Sequence, residues 1–296
     1  MNAANSGPAM RWIVRLLAVV AVLAAGGSRA EELPGFSGDR AFAHLEAVCR
    51  LGPRPSGSAA MERQREMLVA HFRAAGATVS GQGFQIRDRR SGQPVRMENL
   101  VVEWHPARRE RVLIGAHYDT RPFPDRDPVD PRGTFIGAND GASGVAVLME
   151  LAAAMPSIGG DVGVDFVLFD AEEYVFAARD PYCLGSNFFA RQYVADGQAG
   201  RRPHRYRCGA IIDMVGDRDL EIWQEQHSAS WPDTRPRHTV EDDHVPLRMI
   251  ARIPTCDIID FDYPQWHTVD DTPAHCSAAA LEAVGSVLLE WLRGQR

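Results

Sequence analysis

The segment VDFVLFDAEEYV, residues 164–175, sets two carboxylates, Glu172 and Glu173, side by side where an apolar run stops. Neighbours in an extended chain point to opposite sides, so one of the pair could hold a metal while the other moves a proton. Other ionisable groups fall at comparable places. RVLIGA leads into His117 and Asp119, GAII leads into Asp213, and Asp140 lies in GANDGASG just before a helical pattern, where glycines let the backbone turn tightly and approach a ligand. His267 follows in YPQWHTVDD, after the last apolar strand. A single acid or histidine at a strand end is ordinarily a cap or a surface group, but a whole set at one edge of one sheet describes a site. Two histidines with carboxylates and no cysteine among them suit zinc, whose catalytic sites keep three protein ligands and an open position. Calcium and magnesium prefer oxygens and do not call for imidazole.

Such a set needs a scaffold that brings distant segments to one edge. The runs ATVSGQGFQI, ENLVVEW, RVLIGAH, VGVDFVLFD, CGAIIDM and TCDIIDF read as strands. Helical patterns alternate with several of them, over residues 142–155, 184–194 and 277–292, and two more fill residues 38–75 on either side of the breaker LGPRPSGS. Continuous apolar strands alternating with helices predict an α/β fold, a three-layer sandwich with a mixed, mostly parallel central sheet covered by helices. In such sheets ligands bind outside the carboxyl ends of the strands, where the polar set falls. The long irregular segments 121–135 and 224–240 are expected to be rim loops around the site.

Composition narrows the chemistry. The 296 residues are 45% hydrophobic and carry a formal charge of −7. Arg11 and Arg15 lead into LLAVVAVLAA and then GGSRA, the pattern of an export signal over residues 1–30; an uncleaved anchor over residues 12–25 is the alternative. Residues 31–296 are expected to form a single zinc-dependent catalytic domain, periplasmic or secreted, or held in the inner membrane by the anchor. The acidic balance argues against nucleic acid and against stable membrane association once the leader is cleaved, so the basic run GRRPHRYR is read as a loop. The sequence contains no lysine, which removes Schiff-base enzymes, lysine bases and the GK[ST] phosphate loop. It contains neither GxSxG nor HExxH. The five cysteines include no CxxC pair, and their spacing assigns no disulfide.

HYD at 117–119, GANDGASGVAVLMELA, LFDAEEY, IIDM and WHTVDDTP together resemble the zinc aminopeptidase family of metallopeptidases, and within that superfamily (M28) the glutaminyl-peptide cyclotransferases. The likeness runs from LGPRPSGS to the C-terminus. It implies Asp140, Glu173 and His267 as zinc ligands and Glu172 as the carboxylate that handles the proton. His117 and Asp213 would complete a second zinc site in an aminopeptidase, with Asp119 beside them, whereas a cyclotransferase uses one zinc. VEDDHVPL is similar to the cyclotransferase segment that sets an acid, here Asp242, beside the substrate, and Trp266 before the ligand histidine fits the cyclase pocket. Glu241 stands where animal cyclotransferases usually have glutamine. The resemblance thus implies a zinc enzyme that converts N-terminal glutamine of peptides or proteins to pyroglutamate, as a monomer, with Glu172, Asp242 and Asp213 as the catalytic acids and Trp266, Tyr263 and Glu241 lining the substrate. The competing reading is an exported aminopeptidase with two zinc ions. A non-catalytic binding domain would be expected to have lost part of this set.

Overall fold

The computed structural model describes residues 35–228 and 236–295; the leader expected over 1–30, with its alternative anchor at 12–25, lies outside them. All six expected strands form: β1 Thr78–Arg87, β2 Pro94–Trp104, β3 Glu110–His117, β4 Gly163–Phe169, β5 Arg205–Asp213 and β6 Thr255–Ile259. They make one sheet in the order β1-β2-β4-β3-β5-β6. The four strands β4, β3, β5 and β6 run parallel, while β2 pairs antiparallel with both β1 and β4. The mixed, mostly parallel sheet is therefore observed, with its antiparallel part confined to one side.

The helices are α1 Gly38–Cys49, α2 Ala59–Ala74, α3 Ala142–Leu151, α4 Leu184–Gln198, α5 His244–Met249 and α6 Ala278–Arg293. Ser37, Ser58 and Ser277 cap α1, α2 and α6, each side chain accepting a backbone N–H of the first turn. These caps supply the acceptors that a helix start lacks. Helix α3 stops short of the expected residue 155: the bonds tighten to a three-residue step at Ala153 N–H to Glu150 and Ala154 N–H to Leu151, and a short 3-10 turn, Met155–Ser157, which includes Pro156, follows.

Alternation along the central strands builds both outer layers. Val164, Phe166 and Leu168 of β4 pack into a core shared with α1, α2, α3 and α6. Val167 and Phe169 face the opposite side, against Phe189 and Ala190 of α4 and Leu247 of α5. Each large side chain buried this way contributes about 1.5–3 kcal/mol. At the amino end of the parallel strands the buried Arg111 donates to Asp165, with Nε 2.9 Å from Oδ2, and Tyr206 donates to the same carboxylate at 2.6 Å. The opposite, carboxyl end carries the polar set. Among the described residues no helix is long and apolar enough to cross a membrane, and the five cysteines stand unpaired.

Candidate metal centre

Because β3, β4 and β5 are parallel, their carboxyl ends open onto one edge. His117 is the last residue of β3, Asp213 the last of β5, and Glu172 and Glu173 follow β4 after Asp170 and Ala171. Asp140 sits just ahead of Gly141, the N-cap of α3, whose φ of 93° belongs to the region glycine enters freely. A Cβ there would lie 2.8 Å from the Asp119 carbonyl oxygen and 3.0 Å from His117 Cε1, so only glycine lets this loop approach the β3 end. His267 arrives on the loop after β6. Ala171, Cys183, Met214 and His267 all have positive φ although none is glycine. Each costs on the order of 1–3 kcal/mol, and their gathering at this edge marks where the surrounding structure dictates backbone direction.

Carboxylates sew these loops together. Asp119 accepts the backbone N–H groups of Glu172 and Glu173, both at 3.1 Å, and the Ser56 hydroxyl at 3.3 Å. Asp271 accepts the N–H groups of Asn139 at 2.8 Å and Asp140 at 3.1 Å, and is itself held by the Tyr263 hydroxyl at 3.0 Å. Thus Asp119 ties the β3 end to the glutamate pair, and Asp271 ties the Asp140 loop to the His267 loop.

Asp140, Glu173 and His267, far apart in sequence, meet with one donor atom of each within 4.8 Å of the others. His267 Nε2 is 2.8 Å from Glu173 Oε1 and 3.5 Å from Asp140 Oδ2. His117, Asp140 and Asp213 form a second such group that shares Asp140, with His117 Nε2 3.3 Å from Asp140 Oδ1 and 3.1 Å from Asp213 Oδ1. All these residues are buried except Asp213, which is partly so. The Asp140 Oδ2 atom is buried and, among the described residues, has no hydrogen-bond partner, although it faces the histidine. A buried, unsatisfied carboxylate oxygen beside a carboxylate and an imidazole nitrogen is the donor set of an N/O metal site.

The electrostatics agree. Burial opposes charge on His267, yet Glu173 and Asp125 carry its pKa up to about 9; burial likewise opposes charge on His117, and the carboxylates, Asp213 foremost, still raise it well above the ordinary value. Burial would raise Glu173, but His267 and Arg121 hold it down at about 2. Asp140 is pushed up to about 7 by burial and by the charge of Glu173. This is a set of acids that binds positive charge strongly.

Glu172 behaves differently from its neighbour. Burial, and the charges of Glu173, Asp242 and Asp243, push it well above the usual carboxylate range against the pull of His117. Its Oε1 accepts the Cys183 thiol at 3.5 Å, and Glu172, Cys183 and Asp242 form a third group with donor atoms within 4.8 Å. Asp242 is raised to about 6 by burial and by the charge of Asp213. The adjacent glutamates are thus divided into one held ionised and one inclined to take a proton.

The remaining expected residues fall nearby with unequal exposure. The Trp266 ring stands 4.3 Å from the His267 ring, 4.8 Å from Phe261 and 4.1 Å beneath the Arg126 guanidinium. Tyr263 is buried with its hydroxyl committed to Asp271, while Glu241 is exposed next to buried Asp242. Several neighbours escaped the sequence reading. Asp242, His244 and Asp257 form a further group, and Glu225 lies 3.3 Å from His244 Nε2. An acid facing the interior from the apolar run TCDII was the legible signal for Asp257. Arg121 and Asp125, four apart in a loop, carried only the weak signal of opposite charge.

A family model described as peptidase family M28 matches residues 99–235. The chain is similar to a crystal structure of Fimbriiglobus ruber glutaminyl cyclase, with 35% identity and a TM-score of 0.83, covering 92% of this chain and 100% of that one. It is also similar to a leucine aminopeptidase precursor from Bacteroides thetaiotaomicron, with 27% identity and a TM-score of 0.81 over 90% of this chain and 99% of that one. Among curated proteins, bovine glutaminyl-peptide cyclotransferase is 20% identical over 64% of this chain, and the match spans 64% of the bovine protein's length. By fold and by sequence, the chain belongs to peptidase family M28, among the homologues of the glutaminyl cyclases.

Proposed function

We propose that the protein cyclises the N-terminal glutamine of peptides or proteins to pyroglutamate and releases ammonia. The observation that carries this reading is the placing of Glu172: a buried carboxylate of raised proton affinity, grouped with Asp242 on one side and adjacent to Glu173 of the Asp140–Glu173–His267 group on the other. Asp140, Glu173 and His267 would hold a single zinc ion. When bound, zinc supplies Lewis acidity toward the glutamine side-chain carbonyl.

This chain's own residues do the rest. The substrate's α-amine attacks the side-chain amide carbon, forming the ring C–N bond as the bond to the amide nitrogen breaks. Glu172 takes the proton that the amine loses and returns it to the departing nitrogen, so that ammonia leaves and the carboxylate is regenerated. Asp242 and Asp213 orient the amine and the leaving group by hydrogen bonds, and Trp266, with Tyr263 and Glu241 nearby, bounds the glutamine side chain. The nucleophile is tethered to its target, so orientation supplies much of the acceleration.

The His117–Asp140–Asp213 group supports a second reading, an aminopeptidase with two zinc ions in which Glu172 activates water. A Gln-initiated peptide and a leucyl peptide, each incubated with purified protein and weighed by mass spectrometry, separate the two. Ammonia loss from the first supports cyclisation; release of free leucine as the main product refutes it. The same proposal takes residues 1–30 as an export leader, or an anchor at 12–25, and residues 31–296 as one monomeric catalytic domain outside the cytoplasm. Amino-terminal sequencing of protein recovered from the periplasm and medium tests the leader.

A further inference from the structure

Residues 121–135 include a pair that neither the motifs nor the proposed reaction use. Arg121 is buried, its side chain 5% exposed. Its Nη1 donates to Glu173 Oε1 at 3.2 Å and its backbone N–H donates to Glu173 Oε2 at 3.1 Å. Its Nε and Nη2 donate to the two oxygens of Asp125 at 2.7 and 2.9 Å, and Nη2 also donates to the Tyr182 hydroxyl at 3.1 Å. Asp125 Oδ1 in turn lies 3.3 Å from His267 Nδ1, and His267 Nε2 lies 2.8 Å from Glu173 Oε1. Arg121, Glu173, His267 and Asp125 therefore close a ring. The backbone N–H of Arg126 donates to the His267 carbonyl at 3.1 Å and straps the histidine to the same loop.

Among the described residues the other half of the centre has no such ring. His117 Nδ1 is buried without a hydrogen-bond partner among the described residues, and its nearest carboxylate oxygen, Asp119 Oδ1, is 3.6 Å away. That is longer than a hydrogen bond. Both Asp119 oxygens are already engaged by the backbone of Glu172 and Glu173. A carboxylate at the far nitrogen of a ligand histidine fixes its tautomer and orientation and makes it a better donor, and a fixed guanidinium does the orienting for a ligand carboxylate.

We infer that Arg121 and Asp125 are positioning residues that preorganise Glu173 and His267, so that the Asp140–Glu173–His267 seat takes a metal ion ahead of the His117–Asp213 half. This rests on the reading of those three residues as the zinc seat, and it accounts physically for a one-zinc enzyme whose second set of donors is intact. Arg121 also prevents Glu173 from turning away, because both oxygens of that carboxylate are engaged by the one residue.

The test is zinc affinity of the full chain, read by competition with a chromophoric chelator and so independent of which reaction is catalysed. Asp125→Asn keeps the shape, and its site is half exposed, so the fold is retained; Arg121→Gln removes the guanidinium. Each is expected to weaken the tighter zinc site about 10–100-fold, the usual effect of removing a partner that orients a ligand. The kcat of Asp125→Asn is expected to recover at saturating zinc, which loss of fold would not allow. Asp125→Asn binding zinc within about twofold of wild type, or Asp125→Asn with kcat lost even when zinc-saturated, overturns the inference. His267→Ala is the companion measurement: if it too binds zinc like wild type, the seat itself is wrong, whereas its loss of zinc beside an unaffected Asp125→Asn condemns only the ring.

Discussion

Replacing Glu172 by glutamine changes two atoms' chemistry and almost nothing of the fold. The backbone of residue 172 is held independently of its side chain, since its N–H donates to Asp119 and its carbonyl accepts from Cys183 N–H at 2.9 Å. The substitution also removes a carboxyl crowded by Glu173, Asp242 and Asp243, so thermal stability is expected to equal or exceed that of wild type. Catalysis should behave otherwise. A positioned acid–base group is worth roughly 10²–10⁴ in rate, or about 2.7–5.5 kcal/mol of barrier. The residue is 7% exposed, so bulk water is a poor substitute, which argues against the low end. Asp242 shares the group within 4.8 Å and could carry part of the proton traffic, which argues against the high end. The expected loss in kcat is therefore about a thousandfold, with zinc content and melting temperature unchanged or better. The assay is ammonia release from a Gln-initiated peptide by zinc-loaded protein. A variant within about tenfold of wild-type kcat would refute the assignment of Glu172 as the proton carrier.

Other perturbations reach different parts of the account. Chelation should abolish activity and lower thermal stability, both restored by added zinc, with stabilisation of about 2.7 kcal/mol at a hundredfold excess over Kd; a chelated protein that keeps its activity contradicts the metal site. Gly141→Ala should lose both zinc affinity and activity, because the added methyl meets the Asp119 carbonyl at 2.8 Å and His117 at 3.0 Å on backbone of φ 93°; chelator competition together with the ammonia assay checks it. Arg111→Met should cost about 3–5 kcal/mol in urea denaturation, because it strands Asp165 fully buried at the other end of the sheet, while the kcat of the folded fraction stays unchanged.

The strand ends were legible because two signals coincide there: an apolar run that stops, and an ionisable residue that follows at once. His117 and Asp213 carry both, Glu172 and Glu173 come two residues later behind Asp170 and Ala171, and parallel pairing brings all four to one edge. What each carboxylate does is a different matter. Asp119, two residues after His117, reads as a ligand or its companion, but its oxygens are spent on the amides of the glutamate pair, a role set by the turn after β4. The ring through Arg121 and Asp125 depends on a loop conformation that no periodicity encodes. Helix α5, of six residues, is too short to show a period, and His244 and Asp257 meet only because it packs beside β6.

The central claim is geometric: one ion, seated by Asp140, Glu173 and His267, with the Glu172 carboxyl facing the same hollow. Anomalous scattering at the zinc edge, from crystals of the zinc-loaded protein, tests it directly. The account predicts one strong peak among the donor atoms of those three side chains, weaker or no density between His117 and Asp213, and Glu172 unbound beside it. A strongest peak seated elsewhere, two peaks of equal height, or Glu172 itself bound to the ion would contradict it.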